Sequence, residues 1–239
     1  MKGPCTLSLL PVPSVPADTP EENPFCVVRG FLQLMERRDP FLVIHGERTA
    51  QYAMALGHAA QISERELLFL QYAALLHDLG KLTLPNEVER KALEDPQHDI
   101  CLQCHPRAGS SLLQGWPALQ TVAVFIAHHH ERWDGYGYPY GLRSTLIPLG
   151  SRILTITDAF DKLSSPFPYG EGQSVEQAVQ SLQGGSGLRF DPQLVDLFLP
   201  LIPKLIGSGG DLELKLAPVG CSPYEPVSSH TGCTLNPDQ

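Results

Sequence analysis

Apolar residues at 27, 28, 31, 32, 34 and 35 line one face of a helix predicted over residues 25–38, and Asp39-Pro40 stops it. An Ala-rich second helix is predicted from about 43 to 60. Ser63-Glu-Arg-Glu66 then reads as a capping box. The almost wholly apolar run 67–76 behind it predicts a helix at the centre of the fold, ended by Gly80. Asp95-Pro96 supplies an N-cap and first-turn proline for a helix carrying His98, Cys101, Cys104 and His105. Trp116-Pro117 opens a helix through Val122, Phe125 and Ile126, which runs into three histidines. Pro148 opens another, with Ile153, Leu154, Ile156, Phe160 and Leu163 facing inward. Ser174-Val-Glu-Gln177 and Asp191-Pro192 start two more. Only residues 211–216 hint at a strand, so the fold is expected to be all-α.

Composition adds limits. The chain has 239 residues, 42% of them hydrophobic, enough for one domain with a core. Residues 1–24 and 207–239, rich in Pro, Ser, Thr and Gly, are expected to be tails flanking a domain at 25–206. No apolar run reaches the roughly 18 residues of a membrane span. The first residues lack the unbroken apolar core of a signal peptide, so a cytoplasmic protein is expected. A net charge of −9 argues against a broad basic face for DNA or RNA. Cysteines at 5, 26, 101, 104, 221 and 233 do not resemble a disulfide framework. Cys101-Leu-Gln-Cys104-His105 has the spacing of a haem attachment motif. The many other histidines favour reading those cysteines as small helical residues.

The chemistry lies in the nine histidines. His128-His-His-Glu-Arg-Trp-Asp-Gly-Tyr-Gly-Tyr-Pro139 joins imidazoles to a Gly/Pro-rich turn, and His77-Asp78 closes the central apolar helix. Asp158 sits in an apolar helix. Either it shares a solvent face with Asp161, or it faces the interior and is paired or metal-bound, and its apolar neighbours favour the second. Imidazole and carboxylate donors without thiolate suit Fe, Mn or Zn. The candidates exceed the needs of one ion, and Asp78, with two oxygens and a central place, is the natural bridge between two. Two such ions clamp a phosphoryl group and activate a water. Lys81, three residues past Asp78, can neutralise a phosphate oxygen or serve as a solvated lysine at a helix end.

The order His45-x-x-Arg48, His77-Asp-Leu-Gly-Lys81, His105-Pro-x-x-Gly109, His129-His-Glu-x-x-Asp-Gly-x-Gly-Tyr-Pro139 and the Asp158 helix resembles the HD-GYP family of HD-domain metal-dependent phosphohydrolases, over roughly residues 30–200. The resemblance implies a helical HD fold around a metal site, and hydrolysis of cyclic di-GMP to linear pGpG or GMP. It implies His45, His77, Asp78, His105, His129, His130 and Asp158 as metal ligands, with Asp78 and Lys81 in catalysis. Lys81, Asp134, Tyr138 and Pro139 would meet the substrate, and His128 would pack beside the site. Phe41 stands where three-metal members use Glu, so two divalent ions are expected, iron or manganese, with zinc as the alternative. Phe167 and Gly170 replace basic residues of the family's rim, Lys91 lacks its usual Pro-Gly, and Lys162 stands where the family has Ala. Two other readings stay open: a weakly catalytic module that presents the loop to a diguanylate cyclase (GGDEF) domain, and a hydrolase of another phosphoester.

Overall fold

Side-chain caps decide where five of the described helices begin. The computed structural model describes residues 23–85, 102–165 and 172–207. Asn23 accepts from the Phe25 N–H and caps α1 (Pro24–Arg38). Asp39 does the same for α2 (Pro40–Ala59), its Oδ1 taking the Phe41 N–H at 2.9 Å. The helix expected from about 43 therefore starts three residues earlier. Asp39-Pro40 not only stops α1 but also supplies the cap and first-turn proline of α2. Ser63 and Glu66 form the expected reciprocal box at the head of α3 (Glu64–Leu76), and Leu67, Leu70 and residues 72–76 behind it are buried.

Past α3 the chain does not run on as α-helix to Gly80. His77 and Asp78 form a turn, and a 3₁₀ turn follows at Leu79–Thr83. α4 (His105–Leu112) also differs from expectation, since His105 opens this helix rather than lying inside one, and Pro106 falls in its first turn, where a missing N–H costs nothing. A 3₁₀ turn at Pro117–Leu119 leads into α5 (Gln120–Ala127), and Pro148 precedes α6 (Leu149–Ser164). Ser174 with Gln177 caps α7 (Val175–Gly184), Asp191 caps α8 (Pro192–Phe198), and α9 (Ile202–Gly207) follows.

α2 packs on α3 and α6, α5 lies against α3 and α6, and α4 rests on α5 and the 3₁₀ turn after α3. Apart from one isolated bridge between Ser186 and Phe190, the described residues hold no β-structure, so the fold is the expected all-α one. Among them no helix is long and apolar enough to cross a membrane. Cys26 is disulfide-bonded, and Cys104 is exposed beside α4. The expected tails up to residue 22 and from 208, the strand at 211–216, the Asp95-Pro96 helix start, His98, Cys101, Lys91, Phe167 and Gly170 lie outside the described residues.

Candidate metal centre

A histidine just past a helix end can donate its Nδ1–H to an orphan carbonyl of the last turn, which turns its Nε2 outward. This chain uses that device at α3 and α5. His77 Nδ1–H donates to the Ala74 carbonyl at 2.8 Å and His129 Nδ1–H to the Ile126 carbonyl at 2.7 Å. His105, at the start of α4, repeats the spacing by donating to the Leu102 carbonyl at 2.6 Å. A carbonyl can only accept, so the partner fixes the tautomer and leaves a lone pair on each Nε2. His45, in α2, donates instead to Asp161 of α6, Nδ1 to Oδ2 at 2.6 Å.

The freed nitrogens converge. His45 Nε2 lies 3.1 Å from His77 Nε2 and 2.9 Å from Asp158 Oδ1, and His77 Nε2 is 3.4 Å from the same oxygen. His105 Nε2 is 3.3 Å from His129 Nε2, and the His129 and His130 rings lie 4.1 Å apart between centroids. Asp78 joins the two groups, with Oδ2 3.5 Å from His77 Nε2 and Oδ1 3.5 Å from His105 Nε2. The donor atoms of His45, His77 and Asp78 lie within 4.8 Å of one another, and so do those of His105, His129 and His130. All seven ligands expected from the sequence thus meet in one place. Asp158 is buried, as is Asp161, so the solvent-face alternative fails for both.

Three observations fit this site to cations. Asp78 Oδ1 is buried and has no hydrogen-bond partner, an arrangement that costs about 1–3 kcal/mol unless something else satisfies it. His45 Nε2 and His77 Nε2 lie only 3.1 Å apart, with Asp158 Oδ1 within 3.4 Å of both, a crowding of potential donor atoms on one point. The imidazoles are also poor at supplying charge themselves. Burial pushes His105 down to about 4 and holds His129 and His130 well below the ordinary histidine range. His45 goes the other way: burial opposes its charge, but its hydrogen bonds to Asp158 and Asp161 outweigh that and raise it. Burial also opposes ionisation of Asp78 and Asp158, yet Lys81 and His77 beside the first, and Lys162 and His45 beside the second, hold both well below the usual carboxylate range. Lys81 Nζ is 2.9 Å from Asp78 Oδ2.

The Gly-Tyr-Pro turn stands at the rim. Tyr138 stacks on His130 at 4.9 Å between centroids, and its N–H donates to the His130 carbonyl. The Tyr138-Pro139 peptide is cis. A Cβ at Gly137 would lie 2.6 Å from Glu131 Cα, so only glycine lets the turn fold back on its own stem. Asp134, expected at the substrate, has its carboxylate taken by Arg132 at 2.6 Å and by the Tyr136 N–H. Both partners belong to the loop itself.

Sequence reasoning missed three parts of the support. Asp161, read only as a neighbour of Asp158, orients His45 and is gripped by Arg48 through two nitrogens, Nε at 2.6 Å and Nη2 at 2.9 Å. The spacing His45-x-x-Arg48 was the available signal, since a half-buried arginine beside a ligand needs an acid. Glu131 is buried and accepts the Tyr140 and Leu142 N–H groups at 2.8 and 3.0 Å, so it ties the loop to the histidines. Thr155 of α6 donates to the His129 carbonyl at 2.7 Å and holds the histidine turn against the core. His128 packs on Tyr140 with its Nδ1 3.8 Å from Glu131, beside the site as expected.

A family model described as HD domain matches residues 30–194. The chain is 37% identical over 169 residues to the cyclic di-GMP phosphodiesterase response regulator RpfG of Xanthomonas campestris, covering 69% of this chain and 44% of that protein. It is 33% identical over 184 residues to a cyclic di-GMP phosphodiesterase of Thermotoga maritima, covering 76% and 50%. The chain therefore spans about half the length of these relatives. Among solved structures, a cyclic GMP-AMP-specific phosphodiesterase of V. cholerae superposes with a TM-score of 0.56 at 22% identity, over 73% of this chain and 49% of that one, a likeness of fold.

Proposed function

Because the chain belongs to the HD-domain family, in its HD-GYP branch, we propose that it is a metal-dependent phosphodiesterase that opens cyclic di-GMP to linear pGpG or GMP. The observation that carries this reading is Asp78, a buried carboxylate with one oxygen turned to each group of histidines and its Oδ1 without a hydrogen bond. His45, His77, Asp78 and Asp158 would hold one divalent ion and His105, His129, His130 and Asp78 a second, iron or manganese by the nature of the donors, with zinc as the alternative. When bound, such ions polarise a phosphoryl oxygen and lower the pKa of a water.

The chain's own residues do the rest. Asp78 and Asp158 stay ionised at neutral pH, and Asp161 keeps the His45 lone pair aimed inward. Lys81, largely buried against Asp78, supplies a fixed positive charge where negative charge builds on the phosphate. Tyr138, stacked on His130, sets an aromatic ring beside the site, suited to stacking a base, with Pro139 next to it. Purified full chain, reconstituted anaerobically with Fe(II) or Mn(II), is expected to hydrolyse cyclic di-GMP, and Asp78→Ala to remove that activity. The absence of turnover with cyclic di-GMP, cyclic GMP-AMP and cyclic di-AMP would sink the reading.

One observation favours a second role. The outer side of the loop exposes Tyr136 (87% accessible), Tyr140 and Leu146, an apolar face suited to a protein partner such as a GGDEF domain. Co-purification with a GGDEF protein that is lost in Tyr136→Ser would support it. Equal recovery with that variant would discard it.

A further inference from the structure

Asp158 carries an ammonium group that the reading above leaves without a task. Lys162, one turn further along α6, places Nζ 2.9 Å from Asp158 Oδ1 and 3.0 Å from Oδ2. An i,i+4 pair on a helix surface joins two solvated groups and contributes little. Here the acid is only 2% exposed while the lysine is 33% exposed. Oδ1 of Asp158 is also the oxygen that His45 Nε2 meets at 2.9 Å, so the ammonium reaches the centre of the donor cluster from the solvent side. The Lys162 charge acts on His45, Asp78, His105 and His130, which come from four other parts of the fold. Lys81 stands in the same relation to Asp78, with Nζ at 2.9 Å and a side chain 12% exposed. Each central carboxylate thus has one lysine on it, and each lysine retains contact with solvent.

An ammonium and a divalent ion compete for the same carboxylate oxygen. A lysine stem has four flexible carbons and a compact charge, so it can swing off the carboxylate without backbone movement. We propose that Lys162 is a substrate-contacting residue: with cations on the carboxylates, its ammonium leaves Asp158 and, with Lys81, binds a non-bridging oxygen of the phosphodiester. This rests on the phosphodiesterase reading, and the experiment separates the two.

The full chain, loaded with Mn(II), is compared as wild type, Lys162→Met and Lys162→Arg. Metal content is measured by mass spectrometry, the Kd for inorganic phosphate by calorimetry, and KM and kcat with cyclic di-GMP. Lys162→Met is expected to weaken phosphate binding and raise KM about tenfold or more, with metal content unchanged and with kcat falling less than KM rises. Lys162→Arg recovers most of both. Should Lys162→Met lose its cooperative thermal transition, Lys162→Gln carries the same comparison. Phosphate Kd and KM within twofold of wild type in the neutral variant overturn the proposal. So does loss of metal, which would make Lys162 a residue that positions Asp158. If wild type cleaves no cyclic dinucleotide, yet phosphate binding falls in the variant, the substrate reading fails and the role of Lys162 stands.

Discussion

At the residue scale, what distinguishes a candidate ligand histidine here is the partner of its other nitrogen. Three of the histidines spend Nδ1–H on a backbone carbonyl three residues back, which their own chain always supplies. His45 depends on a side chain from another helix, and that dependence can be tested. Asp161→Asn keeps the volume and one acceptor oxygen but removes the charge that raises the basicity of His45 and holds Arg48. Changes to such supporting groups weaken metal binding about 10–100-fold. Asp161→Asn is accordingly expected to lower Mn(II) affinity by that factor in a chelator competition, while Asp134→Asn, whose carboxylate serves the loop through Arg132, leaves it within about threefold.

At the element scale, two motif glycines let α4 reach the turn after α3. A Cβ at Gly80 would collide with the His105 carbonyl and lie 2.6 Å from Gly109 N, and Gly80 N in turn lies 3.0 Å from where a Cβ at Gly109 would be. The contact is backbone against backbone, so no rotamer change can relieve an added methyl. Gly80→Ala is expected to push the start of α4 away, destabilise the fold by about 3 kcal/mol as overpacking does, and reduce bound metal, read by urea unfolding and metal analysis. From sequence, Gly80 looked like a helix breaker, because its neighbour is 25 residues away along the chain. The same distance rule separates what could be read from what could not. The caps at Ser63, Ser174 and Asp191 are local patterns and stand where the sequence placed them, while Asp39, read only as a stop, also caps α2. The seven candidate donors were legible because five imidazoles and two carboxylates at helix ends and in apolar helices need a reason. Asp161 bonds residues more than 110 positions away, and Glu131 bonds backbone N–H groups of its own loop, which no side-chain pattern marks.

At the scale of the whole molecule, the ends of α3 and α5, the start of α4 and the middle of α2 and α6 meet at one buried cluster of carboxylates and imidazoles. The C-terminal ends of α3 and α5 bring the negative ends of two helix dipoles to the same point. With His105 held near 4 and His129 and His130 lower than usual, the site cannot draw its missing positive charge from these rings at neutral pH. Cations bound here draw five elements together, so their binding free energy becomes stability of the fold. A ligand at about 100 times its Kd adds about 2.7 kcal/mol per site. For a domain of this size each kcal/mol moves Tm by about 2–4 °C. Scanning calorimetry in Mn(II) is therefore expected to give a Tm about 5–10 °C above that in EDTA for one filled site and about twice that for two, with the shift reduced in Asp161→Asn because the ligand it supports binds more weakly. Equal Tm values in metal and chelator would mean that the folded chain does not hold the ion, and the two-metal reading of the site would fall with it.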